Sequence, residues 1–166
     1  MTGLDIRVEP YDGPDAEKLI ALVQQEYVDR YGGIDETLLD PAEFAPPRGS
    51  FLVVRVDGEA VACGGWRRLD DFPGVGEIKR MYVVPAYRRT GLARRLLVAL
   101  EESLLDAGYD HVWLETGERQ PEALALYRSA GYQPIKGYGH YKDAPLARPL
   151  GKGLSGRRPS PSRPPA

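Results

Sequence analysis

The sequence predicts an α/β (α+β) fold, because β-type and helical apolar patterns interleave along almost its whole length. Three observations carry this. Two β runs, Phe51 to Val56 and Ala60 to Leu69, are joined by Asp57-Gly58-Glu59, whose Asp-Gly step signals a hairpin. Leu92, Leu96, Leu100 and Leu104 recur every fourth residue, with Leu97 and Leu105 widening the same helical face. A strand from Glu77 to Val84 is stopped by Pro85 just before that helix.

The remaining elements follow in order. Ile6 to Pro10 reads as a short strand ended by proline. Asp12 to Gly33 reads as a helix, with Pro14 near its start, Leu19, Leu22, Val23 and Tyr27 at helical spacing, and Gly32-Gly33 at its end. Asp35 to Pro47 is irregular, with one helical turn expected after Asp40-Pro41. Arg94, Arg95, Glu101, Glu102 and Asp106 form the wet face of the leucine helix, and Gly108 caps it. His111 to Glu115 is a strand, and Pro121 to Ala130 a helix with Pro in its first turn and Gly131 after it. Tyr132 to Ile135 and Ala144 to Leu150 close the series as an antiparallel pair. The expected order is β-α-(α)-β-β-β-α-β-α-β-β, in one domain over 1–150. The residues from 151 to 166 are rich in Gly, Ser, Arg and Pro, a composition expected of a disordered tail.

Composition excludes several classes. The 166 residues are 42% hydrophobic and 28% charged, an ordinary globular mixture, and the net charge of −2 gives no reason to expect nucleic acid or an anionic membrane as partner. The single cysteine, Cys63, rules out an internal disulfide or a cysteine-rich zinc site, and its apolar neighbours mark it as a core residue rather than a nucleophile. No apolar run reaches the roughly 20 residues that span a bilayer, and the first residues lack the pattern of a secretory signal. A cytoplasmic protein that uses no metal is therefore expected.

The most informative segment is Val83-Val84-Pro85-Ala86-Tyr87-Arg88-Arg89-Thr90-Gly91-Leu92-Ala93-Arg94. A strand ends, the chain turns and a helix begins, which presents unpaired backbone N–H groups to an anion. Gly91 and Ala93 leave room near the main chain, Leu92 anchors the loop in the buried face, and Arg88, Arg89 and Arg94 supply positive charge. The Walker loop and the dinucleotide-binding glycine pattern are both absent, which argues against a nucleotide triphosphatase or a Rossmann dehydrogenase.

Arg88-x-x-Gly91-x-Ala93 behind Met81-Tyr82-Val83-Val84-Pro85 resembles the acyl-CoA signature of the Gcn5-related N-acetyltransferases (GNAT). A second block, Gln120 to Tyr132, resembles the family's Asn-x-x-Ala-x-x-Leu-Tyr-x-x-x-Gly-Phe/Tyr segment. Gln120 stands where Asn is common, and Arg89 where Gly is common. The resemblance spans 6–150 and implies a mixed, mostly antiparallel sheet of six to seven strands flanked by about four helices. It implies acetyl-CoA as acyl donor, its pyrophosphate held by Arg88 to Arg94, and its pantetheine held along Met81, Tyr82 and Val83 and by Gln120 and Tyr127.

Direct acetyl transfer to a primary amine needs a base, since an alkyl ammonium has a pKa of about 10.4, and a donor for the departing thiolate. The resemblance places Tyr127 beside the sulfur as acid, and gives two positions for the base, Glu77 and Glu115, with His140 behind them. The acceptor, a small-molecule or protein amine, is expected near Glu26, Tyr27, Asp29, Tyr31, Asp35, Glu36 and the stretch Tyr138 to Tyr141, where acidic and aromatic groups suit a cation. The competing reading is a non-catalytic acyl-CoA sensor of the same fold. A monomer or a homodimer is compatible with the sequence.

Overall fold

The computed structural model of the chain describes residues 3–154. Seven strands form one sheet: β1 (Leu4–Val8), β2 (Gly49–Val56), β3 (Glu59–Arg68), β4 (Val75–Val83), β5 (His111–Gly117), β6 (Gln133–Pro134) and β7 (Ala147–Gly153). Three α-helices cover it: α1 (Pro14–Tyr31), α2 (Leu92–Asp106) and α3 (Pro121–Ser129). The strand order is β1-β2-β3-β4-β5-β7-β6, antiparallel throughout except for the parallel pair β4–β5.

Because helices lie on both faces, the central strands are apolar on both sides and read as continuous runs. On one face the α2 leucines pack with Leu52, Val54, Ile78 and Leu114. On the other, Leu19 and Val23 of α1 pack with Phe44, Phe51, Val53 and Cys63. Each fully buried leucine contributes roughly 2–3 kcal/mol of transfer free energy, so α2 alone anchors the site that begins at its N-terminus. The β2–β3 hairpin turns through Asp57 at φ 50° and Gly58 at φ 86°, two successive positive φ angles of the kind a two-residue type I′ turn requires.

The helical turn expected after Asp40-Pro41 is present as a 3-10 turn, Pro41–Phe44, capped by Asp40 and Glu43, so the α-helices among the described residues number three. Three expectations are corrected. The sheet's terminal strand β6 has two residues, because its Pro134 removes a donor. Glu101, placed on the wet face of α2, is buried, accepting a hydrogen bond from the Tyr132 hydroxyl at 2.7 Å and pairing with Lys152 at 3.1 Å. The domain does not end at 150: β7 runs through Gly153, and Leu154 is fully buried. The expected tail otherwise lies outside the described residues.

The feature that creates the site is a fork. β4 and β5 pair from Val75↔His111 to Ile78↔Leu114 and then part, although β4 continues to Val83 and β5 to Gly117. The cause lies on the other edge of β4. Its register with β3 shifts between Cys63↔Tyr82 and Gly65↔Lys79, leaving two β4 residues, Arg80 and Met81, opposite Gly64. Arg80 takes φ 61°, and such a bulge bends its strand.

Candidate active site

A groove of about 840 Å³ runs from the α2 N-terminus to the fork. Met81, Tyr82, Val83, Arg88, Arg89, Gly91, Ala93, Arg94, Gln120 and Tyr127 all line it. Gly91 caps α2 at φ 83°, and a Cβ there would meet nothing within 4 Å, so the main chain stands open to a ligand. The first intrahelical bond runs from Arg95 N–H to Gly91 C=O at 3.1 Å, which leaves the N–H groups of Leu92, Ala93 and Arg94 without an intrahelical partner. Leu92 is buried and Thr90 donates to the Tyr87 carbonyl at 2.7 Å, so these two shape the loop rather than line the groove.

Arg88 behaves differently from its neighbours. It donates from Nε to the Val83 carbonyl at 2.9 Å, pairs with Glu26 at 2.8 Å, and stacks 5.5 Å above the Tyr82 ring. Its guanidinium therefore ties the loop to α1. Arg89, exposed at φ 64°, makes no ion pair among the described residues, and Arg94 bonds only the Ser129 hydroxyl on α3. These two carry the positive charge at the groove mouth. Glu26, expected on the acceptor side, lines this groove instead because Arg88 draws it there.

A second cavity, of about 380 Å³, lies beyond the fork and is lined by Tyr27, Tyr31, Asp35, Glu36, Lys79, Glu115, Gln120 and Tyr141, among others. Tyr31 also braces the fold, since its hydroxyl accepts from the Arg119 N–H at 3.2 Å and holds the C-terminus of α1 against the β5–α3 turn. A Cβ on Gly117 would stand 1.7 Å from that hydroxyl, so a larger residue there would have to displace the Tyr31 ring. Asp29, on the exposed face of α1, accepts from Gln25 and does not reach the cavity. Asp35 is enclosed by cations: Lys79 at 2.7 Å and Arg80 at 2.5 Å. Lys79 and Arg80 hold its carboxyl far below the usual carboxylate range despite burial. Sequence reading missed this cluster; two adjacent cations inside an otherwise buried strand were the available signal.

The two candidate bases differ sharply. Glu77 is buried with both oxygens engaged, Oε1 by Arg67 at 3.0 Å and Oε2 by the Tyr138 hydroxyl at 2.8 Å. Glu115 has a buried Oε2 with no partner among the described residues. Desolvation first, and then the negative charge of Glu77, push its carboxyl up to about 7. His140 lies exposed beside a third cavity, of about 210 Å³, which Glu77 and Glu115 also line. Tyr127 is buried, its hydroxyl 3.6 Å from the Met81 sulfur, and burial pushes its phenol up to about 12. Glu115 and Tyr127 both line a small cavity of about 70 Å³ in the fork, which shares Gln120 with the groove and with the second cavity. Cys63 is buried, its thiol pushed up to about 12 by desolvation, as a core residue should be. Among the described residues no group of three or more His, Cys, Asp or Glu side chains could hold a metal ion, and no helix is long and apolar enough to cross a membrane.

A sheet forked around a bulged strand, with a helix N-terminus at the end of the same strand, leaves a free strand edge and a set of open N–H groups suited to one extended anionic ligand. The chain belongs to the acetyltransferase (GNAT) family, whose sequence profile matches residues 17–132. It is 36% identical to an IAA acetyltransferase of Azospirillum brasilense, over 82% of this chain and 90% of that protein. It is 30% identical to the N-acetyltransferase YjgM of Escherichia coli, over 78% of this chain and 81% of that protein. Among solved structures it matches an acyl-CoA N-acyltransferase of Klebsiella pneumoniae with TM-score 0.76 and 30% identity, covering 91% of this chain and 97% of that one. The chain is thus an N-acetyltransferase of a family that uses acetyl-CoA, and the sensor reading gives way to the enzyme.

Proposed function

We propose that this enzyme acetylates a primary amine directly from acetyl-CoA, with Glu115 as base and Tyr127 as acid. The observation that carries this is that both line the small cavity at the fork, which shares Gln120 with the cofactor groove and with the acceptor cavity. The groove suits the cofactor: the β4 edge from Lys79 to Val83 has no strand partner toward β5 and can pair with amides of an extended ligand. Gly91, Arg89 and Arg94 give an open, positively charged seat for a pyrophosphate.

Bound acetyl-CoA supplies an acetyl group activated as a thioester. Glu115 first takes a proton from the acceptor's ammonium, which frees the lone pair that bonds to the acetyl carbon. The nitrogen gives up a second proton as the intermediate collapses, replacing the one that Tyr127 passes to the sulfur. The raised pKa of Glu115 makes it a better base than an ordinary carboxylate while leaving it largely ionised slightly above neutrality. Tyr127 donates its hydrogen to the sulfur as the C–S bond breaks. The phenol already faces a sulfur, that of Met81, and its high pKa keeps it protonated across the working range. Glu77 acts on Glu115 through its charge and has no free oxygen for the amine.

The reading is tested by following CoA release with a panel of amines. Tyr127→Phe should lower kcat at least tenfold, and Glu115→Gln should lower kcat/KM about a hundredfold, with acetyl-CoA affinity by calorimetry nearly unchanged in both. Full activity in Tyr127→Phe would remove the tyrosine from the chemistry.

A further inference from the structure

The charges around the acceptor cavity are arranged as a dipole, and their chemistry selects among amines. Ile78 and Leu114 are the last residues paired across the fork, so the next residue on each strand is Lys79 and Glu115. Ile78 and Leu114 pack into the α2 face of the core. Lys79 and Glu115 therefore project to the opposite face, where both line the acceptor cavity, one from each arm of the fork.

The β4 wall is positive. Lys79 is 9% exposed and bonds Asp35 at 2.7 Å and the Thr37 hydroxyl at 3.4 Å, which leaves a third N–H for a ligand. Asp35 must also serve Arg80, so one carboxylate answers two buried cations, and the Nε of Arg80 has no partner among the described residues. The β5 wall is negative or neutral. It carries Glu115, whose buried Oε2 is also unpartnered among the described residues; Glu77, which belongs to β4, lines the neighbouring cavity of about 210 Å³ together with Glu115 rather than this one. A plain monoamine would satisfy Glu115 and meet a like charge on Lys79. An amine that carries a carboxylate one or two carbons away satisfies both walls at once, its nitrogen at Glu115 and its carboxylate at Lys79.

We infer that the acceptor is an amino acid or a close analogue, a primary amine with a carboxylate on the same or the adjacent carbon, which Lys79 holds. This rests on the reading of Glu115 and the fork as the acceptor side of the reaction. Of the acidic groups expected to suit a cationic amine, Glu26 is engaged by Arg88 and Asp35 by Lys79 and Arg80, while Glu36 lines the cavity and can add to the attraction for the ammonium end. The remaining walls, including Tyr27, Tyr31, Tyr141 and Leu146, suit an apolar or aromatic side chain.

The experiment compares leucine, methionine and phenylalanine with the amines formed by their decarboxylation and with their methyl esters, using the full chain and acetyl-CoA. The expected result is kcat/KM at least tenfold higher for the amino acids than for either uncharged-tail series. Equal or better turnover of the decarboxylated amines or the esters overturns the inference and leaves the catalytic reading standing. CoA release from no member of any series, with acetyl-CoA binding intact by calorimetry, defeats both. In Lys79→Met the ratio of amino acid to decarboxylated amine should fall at least tenfold, and Lys79→Arg should restore part of it. A ratio unchanged in a folded Lys79→Met overturns the role of Lys79. If that variant does not fold, the comparison on the unaltered chain decides.

Discussion

The buried Oε2 of Glu115 has no hydrogen-bond partner among the described residues, while both oxygens of Glu77 are engaged by Arg67 and Tyr138. Two carboxylates that look alike in sequence thus reach opposite environments, one paired with Arg67 and Tyr138 and the other desolvated and pushed toward neutrality. The pKa of about 7 for Glu115 lies above the ordinary value of 4.5, so the folded state binds the proton more tightly than the unfolded one. Its ionisation therefore destabilises the fold, by an amount absent below pH 4.5 and complete above pH 7. Glu115→Gln should raise stability by about 1–3 kcal/mol at pH 8 and by little near pH 5, as denaturant melts at the two pH values would show. Equal gains at both would mean that ionisation is not the cause. Activity moves the other way. For the unaltered enzyme kcat/KM should climb with pH through about 7 as Glu115 loses its proton.

The β4–loop–α2 unit explains how one stretch of chain serves two ends of a long ligand. The bulge at Arg80 bends β4 away from β5, and the helix that follows offers its N–H groups a few residues later. Gly91 joins the two at φ 83° with open space at its Cβ position. A side chain there would be strained by about 1–2 kcal/mol and would project toward the seat of the pyrophosphate. Gly91→Glu should weaken acetyl-CoA binding at least tenfold in calorimetry, through repulsion more than through crowding. Undiminished affinity would place the pyrophosphate elsewhere. The Arg88 bonds to Glu26 and Val83 add a brace between this loop and α1, and no local pattern announces the contact with Glu26 because the two residues are 62 apart in the chain.

Across the whole molecule, β7 holds the sheet together by pairing with β5 along its full length and with β6 on its other side. Its last residues carry unexpected weight. Lys152 pairs with the buried Glu101, and Leu154 is fully buried while its N–H donates to the Asp110 carbonyl at 2.8 Å. A chain ending at Gly151 should be less stable than one ending at Leu154 by about 2–3 kcal/mol, from the lost leucine burial and the lost pairing of Lys152 with Glu101. Thermal melts of the two truncations compare them directly; coincident melts would show that Lys152 and Leu154 contribute nothing. The composition after Gly151 concealed this, because one lysine and one leucine among glycines carry no periodicity.

The sequence by itself determined the family, the order of the elements, the leucine face of α2 and the donor-side loop. Each of these is written in consecutive residues, through apolar spacing, a proline stop or a left-handed glycine. It also brought forward Glu115, Glu77 and Tyr127, and left the two carboxylates level. Only the tertiary structure separated them, because desolvation and pairing depend on Arg67, Tyr138 and the fork rather than on neighbours in the chain. The cavity proposed for the acceptor is likewise visible only there. Asp35, Lys79, Glu115 and Tyr141 come from four distant segments, and their charges define a site only after the sheet has brought them around one cavity.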